Sequence, residues 1–272
     1  MNCLGKLIDL STPKVMGILN CTPNSFYDGG KFKSDSEFLS QTEKMLHEGA
    51  SFIDVGAYSS KPNAEFVSEE EEISRIVPVI NSILKKFPET IISVDTFRSQ
   101  VAKNCIENGV AIINDISAGN LDENMMETVA QLRVPYIMMH MRGNPQTMQS
   151  LTNYENIVKE MLLYFSEKIA KARSLGINDL IVDPGFGFAK TLDQNFEVLQ
   201  KLELFQMLDL PILAGVSRKS MIYKTLDTTS EKALNGTTVL NTIALTKGAK
   251  ILRVHDVKEA VESVTLFEKL KS

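Results

Sequence analysis

The chain has 272 residues, of which 43% are hydrophobic, and its 29 Lys plus Arg against 34 Asp plus Glu give a formal net charge of -5 at pH 7. No Lys/Arg block supplies the clustered charge that nucleic-acid grooves or polybasic membrane surfaces need, and no stretch reaches the about 18 apolar residues of a membrane helix. Cys3, Cys21 and Cys105 fit neither a disulfide framework nor a metal spacing, so we expect reduced packing residues in a cytoplasmic protein without a nucleic-acid or membrane partner.

Short runs of β-branched and apolar residues alternate with longer segments of helical period along the chain. This alternation is typical of repeated βαβ units around a parallel sheet. Eight such runs start on average about 34 residues apart, which suits βαβ units of roughly 30 residues or more. We therefore predict an α/β fold, a single (β/α)8 TIM barrel domain over residues 1–272 with its core at roughly 15–270. The predicted strands are residues 15–20, 52–56, 90–95, 111–115, 136–140, 180–183, 211–217 and 251–255.

The segments between the predicted strands carry helix signals. Ser68 and Glu71 form a capping-box pattern, and Thr228 and Glu231 repeat it, so we expect a helix to begin at each place. Pro78 lies inside the first of these helices and should kink it. The predicted helices cover residues 35–48, 68–87, 97–108, 122–132, 154–175, 192–208 and 257–270.

Each predicted strand ends in a polar residue or is closely followed by one. Catalytic side chains of parallel barrels lie at the C-terminal ends of the strands, because those positions open into the mouth of the barrel. Turn formation explains one or two such residues, but polar residues at all eight ends indicate a functional rim. The residues concerned are Asn20, Asp54, Asp95, Asn114 with Asp115, His140, Asp183, Ser217 with Lys219, and His255 with Asp256.

Some of these rim residues also have a structural interpretation. Asp54 fits a buried, hydrogen-bonded structural carboxylate as well as a ligand-binding one. Asn114 and Asp115 are adjacent, so their side chains face opposite sides of the strand and only one can point inward. His140 suits a hydrogen-bonded core or loop residue better than a metal ligand, because no second His or Cys lies at ligand spacing.

Two clusters in the second half of the chain suit a flat, nitrogen-rich heterocycle. Residues 183–190 place Asp183 before two glycines, which allow close backbone approach to a ligand, and offer Phe186 and Phe188 for stacking. Residues 215–220 follow the next strand and should bring Lys219 close to Asp183. Carboxylate, amide and ammonium groups then surround the ring with donors and acceptors. The members of this predicted ring site are Asp95, Asn114, Asp183 and Lys219.

A separate grouping suits phosphate. Arg253 and His255 alternate on one strand and therefore share a face, and both give charge-assisted hydrogen bonds to an anion. Asn20 comes from the adjacent first strand once the barrel closes, and its amide oxygen suits a magnesium-phosphate shell. The alternative for Arg253 is a surface salt bridge with Asp256.

Seven motifs, in order from about residue 15 to 260, resemble the dihydropteroate synthase family. An ordered set of this kind is more specific than any single motif. The motifs are MGILNCTPNSFYDGG at 16–30, SVDT at 93–96, INDIS at 113–117, MHMRG at 139–143, DPGFGFAK at 183–190, SRKS at 217–220 and RVHD at 253–256.

The resemblance implies a folate-biosynthesis enzyme that joins 6-hydroxymethyl-7,8-dihydropterin diphosphate to 4-aminobenzoate, releasing diphosphate with the help of Mg²⁺. Carried over to matching positions, the pterin ring is held by Asp95, Asn114, Asp183 and Lys219. Diphosphate and metal are held by Asn20, Arg253 and His255. The loops after the first two strands close over the substrates with Phe26, Asp28, Ser60, Lys61 and Pro62. The aminobenzoate site gains Phe188 and Ser220.

The chemical role that the resemblance implies for this rim is leaving-group stabilisation. Magnesium, Arg253, His255 and Lys61 neutralise charge on the departing diphosphate, and Asp95 and Asp183 favour positive charge on the pterin side. We therefore expect catalytic contributions from Arg253, His255, Lys219 and Asp95. The family also implies a homodimer formed by late barrel helices.

Two loops depart from the common family pattern. Asn24 stands where an Asp is usual, and Ser60-Lys61-Pro62 stands where Thr-Arg-Pro is usual. Lys61 keeps the positive charge but cannot reproduce a bidentate guanidinium fork. Two alternative functions remain at this point: a pterin-binding methyltransferase domain and a non-catalytic pterin-binding protein. The leaving-group residues Asn20, Arg253 and His255 favour the synthase.

Overall fold

The computed structural model of the chain describes residues 1–21, 35–58 and 67–270. The loop positions singled out above therefore lie outside the described residues. They are Phe26, Asp28, Ser60, Lys61 and Pro62, together with Asn24. Within residues 1–21, 35–58 and 67–270, no helix is both long and apolar enough to cross a membrane.

Eight parallel strands close into a barrel, which confirms the predicted (β/α)8 architecture. A two-stranded antiparallel hairpin, β1 and β2, precedes it. The last barrel strand pairs with the first, Arg253 lying in register with Met16, and this pairing closes the sheet. The strands are β1 Asn2–Cys3, β2 Lys6–Leu7, β3 Lys14–Asn20, β4 Phe52–Gly56, β5 Ile92–Asp95, β6 Ile112–Asp115, β7 Tyr136–Met139, β8 Leu180–Asp183, β9 Ile212–Ala214 and β10 Ala249–Val254.

The helices fill the connections between strands, and most agree with the predicted segments to within a few residues. Ser68 caps its helix as expected, accepting a hydrogen bond from the backbone N–H of Glu71 at 3.2 Å. That helix continues through Pro78. The helices are α1 Asp35–His47, α2 Glu69–Lys86, α3 Ser99–Glu107, α4 Met125–Leu132, α5 Ile157–Ser174, α6 Leu192–Gln200, α7 Ser220–Tyr223, α8 Leu234–Thr246 and α9 Val257–Lys269.

Three details of the sequence prediction are wrong. The capping pattern at Thr228 and Glu231 begins no α-helix, because a single 3₁₀ turn, Ser230–Lys232, lies there and Thr229 precedes it. Helices α7 and α8 have no counterpart among the predicted helical ranges. The threonines and the glycine of α8 give that helix weak intrinsic propensity. Its burial of Thr237, Asn241, Ala244 and Leu245 stabilises it instead. The two-residue strands of the β1–β2 hairpin carry no periodic signal and were also missed.

The interior of the barrel changes from apolar to polar along the strands. Its N-terminal end is filled by an apolar floor of buried residues, namely Met16, Phe52, Ile91, Ile112, Ile137, Ile181, Leu213 and Ile251. Because strand side chains alternate, the residue two positions further along points to the same side. In five strands that next inward residue is polar or charged: Asp54, Ser93, Asn114, Asp183 and Arg253. The barrel therefore presents a polar layer directly above its packed floor.

Candidate active site

Arg253 lies at the centre of the polar layer and joins two carboxylates from neighbouring strands. Its Nε donates to Asp54 Oδ2 at 2.6 Å, and its Nη2 donates to Asp95 Oδ2 at 2.6 Å. Asn114 Nδ2 donates to the same Asp54 oxygen at 3.1 Å. The Arg253 side chain is 19% exposed and that of Asp54 is fully buried. These four side chains therefore form one hydrogen-bonded cluster above the apolar floor.

The electrostatics of this cluster follow from burial and from the ion pairs. Burial raises the pKa of Asp95 to about 7, and the positive charge of Arg253 opposes that rise. For Arg253, burial disfavours the charged form, but Asp54 and Asp95 outweigh it and raise the pKa above its usual value. Arg253 therefore stays cationic, whereas Asp95 can change its charge near neutral pH.

The two groupings expected from the sequence are not separate. Arg253 was expected beside His255 in a phosphate patch, yet its guanidinium contacts Asp95 of the ring site. The alternative salt bridge between Arg253 and Asp256 is wrong, because Arg218 binds Asp256 through two hydrogen bonds of 2.9 and 2.7 Å. Arg253 and Asp256 do not meet because the Arg253 side chain points from β10 into the barrel, whereas Asp256 follows the strand.

Asp183 and Lys219 influence each other electrostatically, and both contact the backbone of the loop that follows β8. Asp183 is 5% exposed, and its Oδ1 accepts a hydrogen bond from the backbone N–H of Gly185 at 2.7 Å. Lys219 Nζ donates to the Phe186 carbonyl and lies 5.0 Å from the centre of the Phe188 ring. Burial raises the pKa of Asp183 and Lys219 opposes the rise. Burial lowers the pKa of Lys219 to about 8, with Asp183 opposing.

His255 and Asn20 lie at the rim with exposed side chains. The Ser217 hydroxyl accepts a hydrogen bond from the His255 backbone N–H at 3.1 Å and lies 3.1 Å from its Nδ1. A hydroxyl has one O–H and two lone pairs, so Ser217 can donate to Nδ1 or accept from it, according to the tautomer of the ring. Desolvation by the surrounding rim, and next the charge of Arg253, lower the pKa of His255. The neutral ring thus presents one N–H donor. Ser220, which follows Lys219, is the first residue of α7.

His140 and Asp115 belong to the supporting structure. His140 is 2% exposed, with Nδ1 3.1 Å from Lys190 Nζ and an edge contact to Tyr164 at 4.9 Å, as the core interpretation predicts. Asp115 points away from Asn114, as their adjacency requires. It accepts hydrogen bonds from Tyr136 at 2.7 Å, from the N–H and hydroxyl of Ser117 and from Gly119 N–H.

Sequence reasoning missed a buried ion pair beside the second loop. Arg98 Nη1 lies 2.6 Å from Oε2 of Glu72, whose side chain is fully buried. The Arg98 Nη2 donates to the Val67 carbonyl at 2.7 Å, and the guanidinium lies 5.3 Å from the centre of the Tyr58 ring. Arg98 therefore contacts both Tyr58 and Val67. A charged residue inside the first turn of an amphipathic helix gives no signal of burial, which is why Glu72 was overlooked.

Comparisons with known proteins agree with this geometry. The profile of the family described as "Pterin binding enzyme" matches residues 16–255. A dihydropteroate synthase of Haemophilus influenzae is 43% identical over 265 residues, covering 97% of this chain and 96% of the relative. One from Bacillus subtilis is 40% identical, covering 93% of this chain and 87% of the relative.

Solved structures give the same result. The Yersinia pestis dihydropteroate synthase in a sulfonamide drug complex has a TM-score of 0.94 at 38% identity, covering 100% of this chain and 98% of that one. The Xanthomonas albilineans dihydropteroate synthase with 4-aminobenzoic acid has a TM-score of 0.92 at 34% identity, covering 100% and 97% of the two chains.

Proposed function

This chain belongs to the pterin-binding enzyme family and has the activity of a dihydropteroate synthase, a transferase, and we propose how its barrel mouth carries that activity. The substrates are 6-hydroxymethyl-7,8-dihydropterin diphosphate and 4-aminobenzoate, and the products are 7,8-dihydropteroate and diphosphate. The single observation that supports the residue assignment is the continuous cluster of Asp54, Arg253, Asp95 and Asn114 above the apolar floor.

The pterin ring binds in the polar layer. Its amino group and ring N–H need acceptors, which Asp183 and Asn114 supply, and its carbonyl needs a donor, which Lys219 supplies. Asp95 completes the ring site and, with Arg253 beside it, keeps a carboxylate near the carbon that becomes electron-poor. The buried position of Asp183 supports this role, because a buried carboxylate with one oxygen free of backbone contacts offers a strong acceptor.

The diphosphate binds at the rim side of Arg253. His255 donates a hydrogen bond from Nε2. The inward guanidinium of Arg253 adds a positive charge that is already in place, so the protein does not need to reorganise as negative charge develops on the diphosphate. Lys61 adds a second cation from the loop over the site. The amine of 4-aminobenzoate attacks the methylene carbon with its lone pair, the carbon–oxygen bond to diphosphate breaks, and the amine proton leaves to water. A neutral aromatic amine needs no strong base before attack, so leaving-group stabilisation lowers the barrier.

A magnesium ion fits this rim through the donor chemistry of Asn20. Asn20 is the exposed last residue of the first barrel strand. The described residues hold no group of three or more His, Cys, Asp or Glu side chains suited to a metal. A Mg²⁺ ion commonly takes few protein ligands and completes its shell with water and substrate phosphate. Asn20 would hold the ion, which when bound neutralises negative charge on the diphosphate.

The second substrate binds between the ring site and the loops. Phe188 offers an aromatic face beside Lys219, and Ser220 follows that lysine with a hydroxyl for the benzoate carboxylate. The loop residues proposed to cover both substrates are Phe26, Asp28, Ser60, Lys61 and Pro62. The bound 4-aminobenzoic acid named for the Xanthomonas albilineans relative supports this choice of substrate.

We further propose a cytoplasmic homodimer in which residues 1–272 act as one domain. Cys3, Cys21 and Cys105 are buried thiols, which suits a reducing compartment. Helix α8 leaves Val239 49% exposed and the preceding segment leaves Leu226 56% exposed, so this face supports contact with a second copy. A dimeric mass in sedimentation that Val239→Glu reduces to a monomeric mass supports the dimer, and a monomeric wild type contradicts it.

The experiment that tests the proposed reaction measures turnover with and without Mg²⁺. Diphosphate release is coupled to a colorimetric readout, and the pteridine product is separated by chromatography. Equal amounts of dihydropteroate and diphosphate are expected, with a strong dependence on Mg²⁺. Pterin binding without diphosphate release would instead favour a binding protein, and transfer of a methyl group would favour the methyltransferase alternative.

A further inference from the structure

The backbone carbonyls of residues 185–189, here called the carbonyl loop, each accept a hydrogen bond from a side chain outside the loop. Lys219 Nζ donates to the Phe186 carbonyl from the side of the ring site. The donors to the other four are Lys190 to Gly185 at 3.0 Å and to Phe188 at 2.9 Å, Gln149 to Gly187 at 3.4 Å, and Tyr154 to Ala189 at 2.9 Å. Side chains, and not a strand or helix, therefore hold this loop in place.

The conformation of the carbonyl loop needs such support. Gly185, Gly187 and Ala189 have φ angles of 67°, 86° and 47°, and alanine in the left-handed region is unfavourable unless its surroundings hold it. A Cβ on Gly185 would lie 2.3 Å from the His140 carbonyl oxygen. The loop thus packs directly against the end of β7, where only glycine fits.

The ammonium of Lys190 contacts the carbonyl loop and the neighbouring His140 with all three of its N–H donors. The residue is 4% exposed, and besides Gly185 and Phe188 its Nζ lies 3.1 Å from Nδ1 of His140. A charged ammonium has three N–H groups and no acceptor, so these three contacts use all of them and require Nδ1 of His140 to accept. Burial disfavours the charge and lowers the pKa of Lys190 to about 7, while Asp183 opposes that effect. An isolated buried cation is costly, and here its hydrogen bonds go only to the loop and to His140.

The loop connects Lys190 to the groups assigned to substrate. Gly185 N–H binds the carboxylate of Asp183, and the Phe186 carbonyl binds Lys219. Both therefore depend on backbone atoms of residues 185–188, the segment whose first and last carbonyls bind Lys190. If Gly185 or Phe188 shifts, the Gly185 N–H that binds Asp183, the Phe186 carbonyl that binds Lys219, or the Phe188 ring moves with it.

We propose that Lys190, with His140 as its acceptor, is a positioning residue for the pterin and aminobenzoate sites. It contacts neither substrate and acts through the carbonyl loop on Asp183, Lys219 and Phe188. This inference rests on the roles proposed for those three residues in the synthase reaction. Lys190 thereby fixes the distance between the Asp183 carboxylate, which accepts hydrogen bonds from the pterin ring, and the Lys219 ammonium, which donates to it.

The test replaces Lys190 by methionine, which keeps the length of the side chain and removes its donors. Lys171→Met, at an exposed position of α5, is the matched control. Calorimetric titration with 6-hydroxymethylpterin should show a Kd about tenfold higher for Lys190→Met, as the loss of a charge-assisted contact predicts, with a stoichiometry near one. The KM for aminobenzoate should rise in parallel. Lys171→Met should bind like wild type.

The stoichiometry separates positioning from a merely structural role. A protein that is only less well folded binds fewer equivalents with an unchanged Kd, and that result overturns the proposal. A double-mutant cycle between Lys190→Met and Lys219→Met gives a second readout, because residues that act through one loop are not additive. Additive losses of binding also overturn it. If Lys190→Met does not fold, Lys190→Gln, which returns amide donors, should bind with intermediate affinity, and wild-type affinity contradicts the proposal.

A parallel titration of Asp183→Asn distinguishes failure of the proposed function from failure of the positioning role of Lys190. Unchanged pterin affinity in Asp183→Asn contradicts the ring role assigned under the proposed function, whatever Lys190 does. Weaker binding in Asp183→Asn together with wild-type binding in Lys190→Met leaves the proposed function standing and removes only the positioning role.

Discussion

Arg253 Nε lies 2.6 Å from Asp54 Oδ2 although 199 positions of sequence separate the two residues. The same guanidinium reaches Asp95, 158 positions away, at 2.6 Å. One buried cation thus pairs with carboxylates from two adjacent strands, β4 and β5, and does so from the last strand of the barrel. The charge balance of the mouth depends on closure of the sheet.

Replacement of Arg253 by methionine is expected to destabilise the fold strongly. Asp54 and Asp95 would lose their cation, and removing one partner of a buried pair costs about 3 kcal/mol or more. The pKa of Asp95, already raised by burial, would rise further, so the folded state binds a proton more tightly than the unfolded state. The deficit relative to wild type should therefore be largest at pH 8, shrink as the pH falls through 7 and level off at about pH 6, where Asp95 is protonated in both folded proteins.

Urea unfolding of Arg253→Met between pH 5 and pH 8 measures this deficit. Lys258→Met removes only an exposed ion pair on α9 and serves as the control, with a change below about 0.5 kcal/mol. A deficit that does not vary with pH would rule out unpaired carboxylates as its cause.

Asp183→Asn is expected to weaken binding of 6-hydroxymethylpterin about tenfold or more. The asparagine keeps one acceptor for Gly185 N–H but turns an NH₂ donor toward the ring, where the pterin also offers donors. Asp193→Asn on the exposed first turn of α6 is the control. Calorimetry at pH 7 gives the comparison, and equal Kd values for both variants contradict the role of Asp183.

The pH dependence of turnover should report Lys219. Burial lowers its pKa to about 8, so the ammonium loses its proton as the pH rises through 8 and the ring site loses a cationic donor. We expect kcat/KM to fall above pH 8 in wild type. Lys219→Arg stays charged in this range and should lack that decline whatever its absolute rate. A decline that persists unchanged in Lys219→Arg assigns it to another group.

Tyr136→Phe should lower stability without changing substrate affinity. The Tyr136 hydroxyl donates to Asp115 at 2.7 Å in a fully buried site on the outer side of the barrel wall. Loss of that donor should cost about 1 to 2 kcal/mol, while KM for both substrates stays within twofold of wild type, since nothing on the inner side moves. Thermal unfolding and steady-state kinetics test the two halves separately, and a large rise in KM contradicts the assignment of Asp115 to support.

Asn20→Ala should raise the Mg²⁺ concentration that gives half-maximal turnover. The substitution removes the protein oxygen proposed to join the metal-phosphate shell, while the inward cluster around Arg253 is unaffected. Asn120→Ala, at a rim position on the other side of the barrel, provides the comparison. Titration of activity with Mg²⁺ should show a shift of about fivefold or more for Asn20→Ala alone. Identical Mg²⁺ curves for the two variants contradict the metal role.

Much of this protein could be predicted from local patterns. The alternation of strands and helices, the barrel, and the polar rim follow from side-chain periodicity, which extends over only a few residues and is written directly in the sequence. The agreement of Phe52–Gly56 and Leu180–Asp183 with the predicted strands illustrates this. Helix α8 shows the limit, because its stability comes from packing and not from its own residues.

The sequence alone determined which chemical groups reach the mouth of the barrel, since each strand places its last inward residue there. Only the tertiary structure decided how these groups pair. Arg253 binds Asp54 and Asp95 and leaves Asp256 to Arg218, and Lys190 lies under the carbonyl loop beside His140. Such choices depend on distances across a closed sheet and on burial, and no periodicity along the chain encodes which of several distant partners will lie within hydrogen-bonding range.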